Sequence, residues 1–324
     1  MVRHLLLRLL VGLAVMWGVI TLVFFLLHAA PGDPARLLLG PQATGEQLLE
    51  QRRALGLDQP VATQYVAWLG RFVRGDWGRS IATGLPVRTM LGDAWPLTAV
   101  LVALSLLLSY LIGIVLGVVQ AARSGSRTDT ALSVASVTLF ALPSYWLGLM
   151  LVLVFAYWLR VLPAFGASGL DAEFLSPMGR VIDALRHLAL PLLTLTLIGL
   201  GSIARFVRAA MVDLRGSPFL AVARAKGLSE NAILFRHALP NALIPVLTLL
   251  GLSLPALFSG AVFVEAIFAW PGVGRVLVEA VQARDYPVVL AAVAISSFLV
   301  VLGSLIADGL VAVADPRVRG RHVA

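Results

Sequence analysis

Apolar residues in this chain fall in long blocks rather than in the short alternations of a soluble protein. Six blocks are long enough to cross a bilayer, over about residues 9–32, 96–121, 131–159, 188–210, 238–264 and 286–310. A spanning helix needs roughly 20 mostly apolar residues for about 30 Å of hydrocarbon, and it satisfies every backbone group within its own segment. The pattern predicts an all-α polytopic membrane protein with six transmembrane helices. The first block follows Arg3 and Arg8 as a leader peptide would, but it outruns the 7–15-residue apolar core typical of one, so residues 1–32 are expected to stay as the first span.

Polar punctuation sets the orientation. Arg123 and Arg127 follow the second block, Arg205 to Arg236 separate the fourth from the fifth, and Arg317, Arg319 and Arg321 close the chain. Arginine near span ends stays on the cytoplasmic side, and an even number of spans puts all these regions on one face. Both the N- and C-termini are therefore expected to be cytoplasmic. Residues 33–95 then lie outside the cell, 96–314 form the transmembrane domain with a cytoplasmic loop at 211–237, and 315–324 form a cytoplasmic tail.

The segment 33–95 has helical patterning of its own. Thr44 and Gln47 make a capping box ahead of Leu48, Leu49 and Leu55, with Gly56 as the stop. Asp58 is expected to cap a second helix with Pro60 in its first turn. Tyr65, Trp68, Leu69 and Phe72 recur at i, i+3, i+4 and i+7, a stripe that suits either the bilayer surface or packing against the spans. Pro271 to Tyr286 form another amphipathic piece on the outer face, placed to receive an external partner or to cap a pathway. Inside the blocks stand Pro143, Pro191, Pro245, Pro255, Gly113, Gly117, Gly199, Gly201 and Gly251. Kinks around a pathway and close helix packing both account for them.

Composition narrows the function. Hydrophobic residues make up 59% of the 324, charged residues 13%, and the mean hydropathy is +0.92. The first ionisable groups lie at or near block ends, at His28, Arg123, Arg160, Arg205, Glu265 and Asp308, whereas pumps and proton-coupled carriers keep titratable groups inside the membrane. The absence of cysteine excludes disulfides and thiolate sites. A net charge of +8, nearly all arginine, reads as topology rather than nucleic-acid binding. His4, His28, His187, His237 and His322 show no His-Glu-x-x-His spacing. Ser105, Ser109, Ser202, Ser253 and Ser259 lack a histidine or lysine at a block centre to act as base. An intramembrane enzyme is thus disfavoured, as is a carrier working alone.

The most structured cytoplasmic stretch is Ser217 to Glu230. Ser217 suits an N-cap, Pro218 the first helical position and Gly227 the left-handed turn that ends the helix. Ser229 then suits the cap of a second helix leading to Leu239-Pro240. Phe219, Val222, Ala223 and Lys226 share one face by spacing. Such a helix is either a knob on which another protein acts or a connector lying on the membrane.

This stretch resembles the EAA loop of ABC importer permeases: Glu-Ala-Ala, three residues, Gly, nine residues, Ile, one residue, Leu-Pro. Gly227, Leu239-Pro240 and the small residue Ala223 match, while Ala221 stands for Glu, Val222 for Ala and His237 for Ile. Further stretches resemble the dipeptide and oligopeptide B-type branch of that family. They are Pro31-Gly-Asp-Pro34, Leu55-Gly-Leu-Asp58, Gly75-Asp-Trp-Gly-Arg-Ser80, Leu142-Pro-Ser-Tyr-Trp-Leu-Gly148, Arg224-Ala-Lys-Gly-Leu228, His237 to Pro245, Phe268-Ala-Trp-Pro-Gly272, Arg284-Asp-Tyr-Pro287 and Asp315-Pro-Arg317.

The resemblance implies a type I ABC importer permease in the bacterial plasma (inner) membrane. It implies pairing with a second permease, two ABC ATPases and an extracytoplasmic substrate-binding protein, with no catalytic, cofactor or metal residue in this chain. ATP and Mg would bind the ATPases. The chain's one lysine, Lys226, precedes Gly227, so the Gly-Lys-Ser/Thr phosphate cradle is missing. The residues implied for ATPase coupling are Ala221, Ala223, Arg224, Lys226, Gly227, His237, Leu239 and Pro240. The cargo implied is di- or oligopeptide, with nickel, glutathione or a sugar as alternatives within the branch.

Overall fold

A computed structural model describes residues 2–29, 33–40 and 42–314, all helix and connecting turns apart from one isolated bridge, Arg79 with Pro86. The tail 315–324, with its three arginines, and residues 30–32 lie outside the described set. The helices are α1 (Val2–Ala29), α2 (Pro34–Leu39), α3 (Gly45–Ala54), α4 (Val61–Val73), α5 (Val87–Ala122), α6 (Arg127–Ala141), α7 (Ser144–Leu151), α8 (Pro177–Leu214), α9 (Pro218–Ala225), α10 (Glu230–Ala232), α11 (Leu239–Ile267), α12 (Val273–Gln282) and α13 (Tyr286–Ala314). Four of them are long and apolar enough to cross a membrane, and α6 with α7 makes a fifth candidate if the bent pair is one span.

The chain divides into two compact units. The first holds residues 99–270 with both ends of the chain. In it the segment 131–159 is not one straight helix. Pro143 disfavours helical backbone at Leu142, which is extended at φ −72°, ψ 133°, and α6 and α7 meet at 106°. α7 widens into a π-helical turn over Val152–Trp158. α8 runs 38 residues, with the Ser176 hydroxyl capping it at the Gly179 amide and Pro177 in its first turn.

Glycines let α8 approach its neighbours closely. A Cβ at Gly117 would lie 2.6 Å from the Ala204 carbonyl oxygen, and one at Gly201 would lie 2.5 Å from that of Ser136. At these positions the glycines serve packing. Gly251, Pro255 and Ser259 fall in a stretch of α11 whose side chains are outside the described set.

The second unit holds residues 6–98 and 271–301. The Thr44–Gln47 capping box forms, with the Gln47 amide 3.3 Å from Thr44 Oγ1 and the Thr44 amide 3.0 Å from Gln47 Oε1. Gly56 takes φ +70° at the expected stop. Asp58, in contrast, caps nothing. α4 begins at Val61 with Pro60 at its N-cap, and the Pro60 carbonyl accepts the Thr63 and Gln64 amides. The rigid φ of Pro60 takes the place of a polar cap.

The aromatic stripe of α4 packs on α1. Tyr65 stacks on Phe25 with centroids 5.6 Å apart, Trp68 lies 5.5 Å from Phe24, and the Tyr65 hydroxyl accepts from Trp17 Nε1 at 2.8 Å. Elsewhere Val87, Leu91 and Ala94 of α5 form a core with Val273 and Ala280 of α12 and Val288 and Ala292 of α13.

Two motifs far apart in sequence meet in this unit. Asp285 is buried, and its carboxylate accepts the Ile81 amide at 3.0 Å, the Ala82 amide at 3.2 Å and the Ser80 hydroxyl. Ser80 Oγ in turn accepts the Thr83 amide. The turn after Gly75-Asp-Trp-Gly-Arg-Ser80 is thereby fastened to the start of α13.

Candidate functional site

The site built around α9 lies wholly in the first unit. Ser217 supplies the extended N-cap backbone and its carbonyl accepts the Leu220 and Ala221 amides, but its hydroxyl caps nothing and is buried without a partner among the described residues. At the other end Gly227 takes φ +75°. Its amide donates to the Arg224 carbonyl at 2.9 Å and the Leu228 amide donates to the Ala223 carbonyl at 3.3 Å. This paired bonding is the Schellman arrangement, which needs a left-handed residue at the Gly227 position. Nothing lies within 4 Å of where a Cβ on Gly227 would point, so the demand is on the backbone alone.

Ser229 caps the next turn, its hydroxyl 3.4 Å from the Ala232 amide. The helix then widens into a π-helical turn over Ile233–Ala238 before Leu239-Pro240 opens α11. A proline inside a helix clashes with the preceding turn and removes a hydrogen bond; the wide turn just before it absorbs that misfit. The Asn241 amide side chain donates to the His237 carbonyl at 2.7 Å.

Burial divides α9 into two faces. Leu220 and Ala223 are buried in a core with Val118 and Ala121 of α5, Val207 and Met211 of α8, and Ile233 and Ala238 of the π-helical turn. The opposite side exposes Phe219 at 42% and Val222 at 54%, together with Ala221, Arg224 and Lys226. The expected shared face of Phe219, Val222, Ala223 and Lys226 is thus split. In a helix of two turns the buried arc is centred between Leu220 and Ala223, and it draws Ala223 inward. His237 and Leu239 are half-buried and Pro240 is exposed.

Polar contacts brace this end. Arg224 Nε donates to Glu230 Oε1 at 3.0 Å across the Gly227 turn, an exposed pair and so worth at most about 1 kcal/mol. Glu230 is the only carboxylate between Ser217 and Pro240. A cavity of about 400 Å³ lies beside them, lined by Met211, Arg215, Arg224, Glu230 and Leu234 among others.

Two braces were not foreseen from the sequence. Arg208 grips Asp129 with two bonds, Nε to Oδ1 at 2.6 Å and Nη2 to Oδ2 at 2.8 Å, and Asp129 Oδ2 also accepts the Gly125 amide at 3.0 Å. Arg215, the C-cap of α8 and seven residues beyond Arg208, donates from Nη2 to the Ala121 carbonyl in the last turn of α5. Ser126-x-x-Asp129 marked only the helix start, where the Ser126 hydroxyl accepts the Asp129 amide at 3.2 Å, and gave no sign of Arg208. For Arg215 the seven-residue spacing to Arg208 was the sole hint.

Comparison with known proteins places the whole chain. The family "Binding-protein-dependent transport system inner membrane component" matches residues 113–320, and the corresponding N-terminal family matches residues 1–102. The chain is 39% identical over 322 residues to the oligopeptide transport system permease protein AppB of Bacillus subtilis (strain 168), covering 98% of this chain and 99% of that protein. It is 35% identical to the di/tripeptide transport system permease protein DppB of Pseudomonas aeruginosa (strain UCBPP-PA14), covering 94% of each. In fold it is similar to a chain of the inward-facing MetNI methionine ABC transporter, with a TM-score of 0.53 at 17% identity over 71% of this chain and 98% of that one. With both family profiles and full-length relatives in agreement, the chain belongs to the inner-membrane components of binding-protein-dependent transport systems, the multi-pass permeases of the bacterial inner membrane.

Proposed function

We propose that this chain is one of two permeases lining the pathway of an ATP-driven peptide importer, and that α9 is the helix by which it is driven. Six spans cross the membrane, with α11 as the span additional to the five candidates, and both termini are cytoplasmic. Residues 33–95 face the extracytoplasmic binding protein. Two partner ATPases hold ATP and Mg.

The observation that carries the reading is the two-faced α9. Its inner face is locked to the ends of α5 and α8 and to the turn that opens α11, so a displacement of the helix moves three spans together. Its outer face leaves Phe219 and Val222 exposed beside Arg224 and Lys226, an apolar anchor with a cationic rim that suits a groove on another protein. Ala221, Gly227, His237, Leu239 and Pro240 keep this geometry: Ala221 stays small on the outer face, Gly227 ends the helix, and the other three carry it into α11. The full-length relatives that transport oligopeptides and di/tripeptides support peptide as the cargo.

The test is affinity purification of the tagged chain in mild detergent, as wild type and as Phe219→Asp/Val222→Asp. The expected result is recovery of a second permease and P-loop ATPases with wild type, and loss of the ATPases but not of the second permease with the variant. ATPases that stay bound to the double variant in full amount would remove α9 from the contact.

A further inference from the structure

In the second unit a cavity of about 670 Å³ opens beneath α4, independent of the coupling reading. Its floor is apolar and aromatic, formed by Phe24 in the penultimate turn of α1, Leu290 in the second turn of α13, and the half-buried rings of Trp68 and Trp77. Its rim carries the exposed guanidiniums of Arg71 and Arg79. Among the described residues neither arginine has an ion-pair partner; Arg79 Nε donates to the Gly84 carbonyl at 2.9 Å, which fixes the side chain and leaves its terminal nitrogens for another acceptor. Asp76 is the one acid in the lining, and its Oδ1 already accepts the Gly78 amide at 3.0 Å.

The position of the cavity selects the ligand. α1 ends at Ala29 and α13 begins at Tyr286, and both are candidate spans, so a cavity walled by Phe24, His28, Tyr286 and Leu290 sits at a membrane–water boundary. Tryptophan and tyrosine are at home at that depth. An arginine fork there matches a phosphate bidentately, and the phosphodiester of a lipid head group lies at that depth. Leu22, Phe25 and Leu26 are exposed on the other sides of α1, an apolar outer surface at the same depth. A soluble anion would use the rim and leave the apolar floor uncovered.

The geometry points to a binding site for one anionic phospholipid, its phosphodiester held by Arg71 and Arg79 and its glycerol and upper acyl chain laid over Trp68, Trp77 and Phe24. The lipid fills the space under α4 and ties that helix to the ends of two spans.

Native mass spectrometry of the purified full-length protein with its co-purifying subunits tests the assignment. The probes are phosphatidylglycerol and phosphatidylcholine of identical acyl chains, and the proteins are wild type, Arg71→Gln/Arg79→Gln and Arg71→Lys/Arg79→Lys. Wild type is expected to retain one phosphatidylglycerol about tenfold more tightly than phosphatidylcholine, as suits a charge-assisted pair. The Gln variant loses that preference and the Lys variant keeps most of it. Equal retention of the two lipids by wild type, or an unchanged preference in the Gln variant, overturns the proposal. So does displacement of the lipid by glycerol phosphate, which would make the site one for a free phosphate, or by a dipeptide, which would make it a cargo site. Arg71 and Arg79 are exposed, so both variants are expected to fold; the Lys variant supplies a readout that does not depend on the Gln substitutions.

Discussion

The loop around α9 and the segment containing α4 both join spans, yet they are built in opposite ways. The α4 region turns its largest side chains inward: Tyr65, Trp68 and Phe72 stack on one another and on α1, and a buried carboxylate at Asp285 holds a turn more than two hundred residues away in sequence. The α9 region turns small side chains inward, Ala223 beside Leu220, and leaves its aromatic residue outside. Its ends are held by backbone caps rather than by long-range contacts. One segment is fixed by what the chain itself supplies. The other is a stiff element that leaves Phe219 and Val222 exposed, the face that the proposed coupling would use.

The largest effect is expected where the fixed region hangs on one group. Asp285→Ala would leave the buried Ser80 hydroxyl and the partly buried Ile81 and Ala82 amides without their acceptor, and a buried group left unpaired costs roughly 1–3 kcal/mol. A local destabilisation of about 3 kcal/mol corresponds to an approximately hundredfold rise in amide exchange at Ile81 and Ala82. Exchange at those two amides within about threefold of wild type would show that the turn is held by its own bonds, Ser80 to Leu85 and Gly84 to Ser80.

Next comes the cap that defines α9. Gly227→Val forces a β-branched residue to φ +75°, a strain of about 2 kcal/mol or more. Insertion into the membrane should be unchanged, while ATP-driven uptake in proteoliposomes falls at least tenfold because the helix loses its defined end. Gly227→Ala, with a smaller penalty of about 1 kcal/mol, should fall between the two. Uptake equal to wild type in the Val variant would sink the idea that the geometry of α9 matters.

The same contrast explains what the sequence disclosed. The ends of α9 were legible because each rests on residues within the segment: Pro218 at the first helical position, Gly227 at the left-handed one, Ser229 at the next cap. The capping box at Thr44 was legible for the same reason. The four long apolar helices and the bent pair of α6 and α7 were legible because length and hydropathy suffice for a candidate span. What stayed hidden depends on distance or competition. Nothing local pairs Asp285 with Ser80 or Arg208 with Asp129. The break between α6 and α7 had a visible cause in Pro143, but whether a proline kinks a span or ends it depends on what packs against it. Asp58 looked like a cap, yet Pro60 set the helix start.

A smaller effect is expected at the clamp between α6 and α8. Asp129→Asn keeps an acceptor for the Gly125 amide but replaces a charge-assisted pair of bonds with a neutral contact to Arg208, which is itself partly exposed. The expected loss is about 1–2 kcal/mol, read as a lower midpoint in thermal unfolding of the detergent-solubilised protein. Arg208→Met should reproduce most of it, and the double variant should cost little more than either alone, since both remove one interaction. Additive losses would mean that the two residues act separately.

The smallest effect belongs to Arg224. Its bond to Glu230 is between exposed groups, and such pairs contribute at most about 1 kcal/mol. Arg224→Ala should therefore leave thermal stability unchanged within error. If Arg224 instead serves the rim around Phe219 and Val222, the same variant weakens ATPase association severalfold, and lowering the salt strengthens association more in wild type than in the variant. Glu230→Gln separates the two roles: it breaks the internal pair while keeping the guanidinium. A loss shared equally by Arg224→Ala and Glu230→Gln would assign the pair to the internal geometry of the loop. A loss confined to Arg224→Ala would assign the arginine to the partner, and so extend to a single charge the distinction between a region that holds itself and one built to be held.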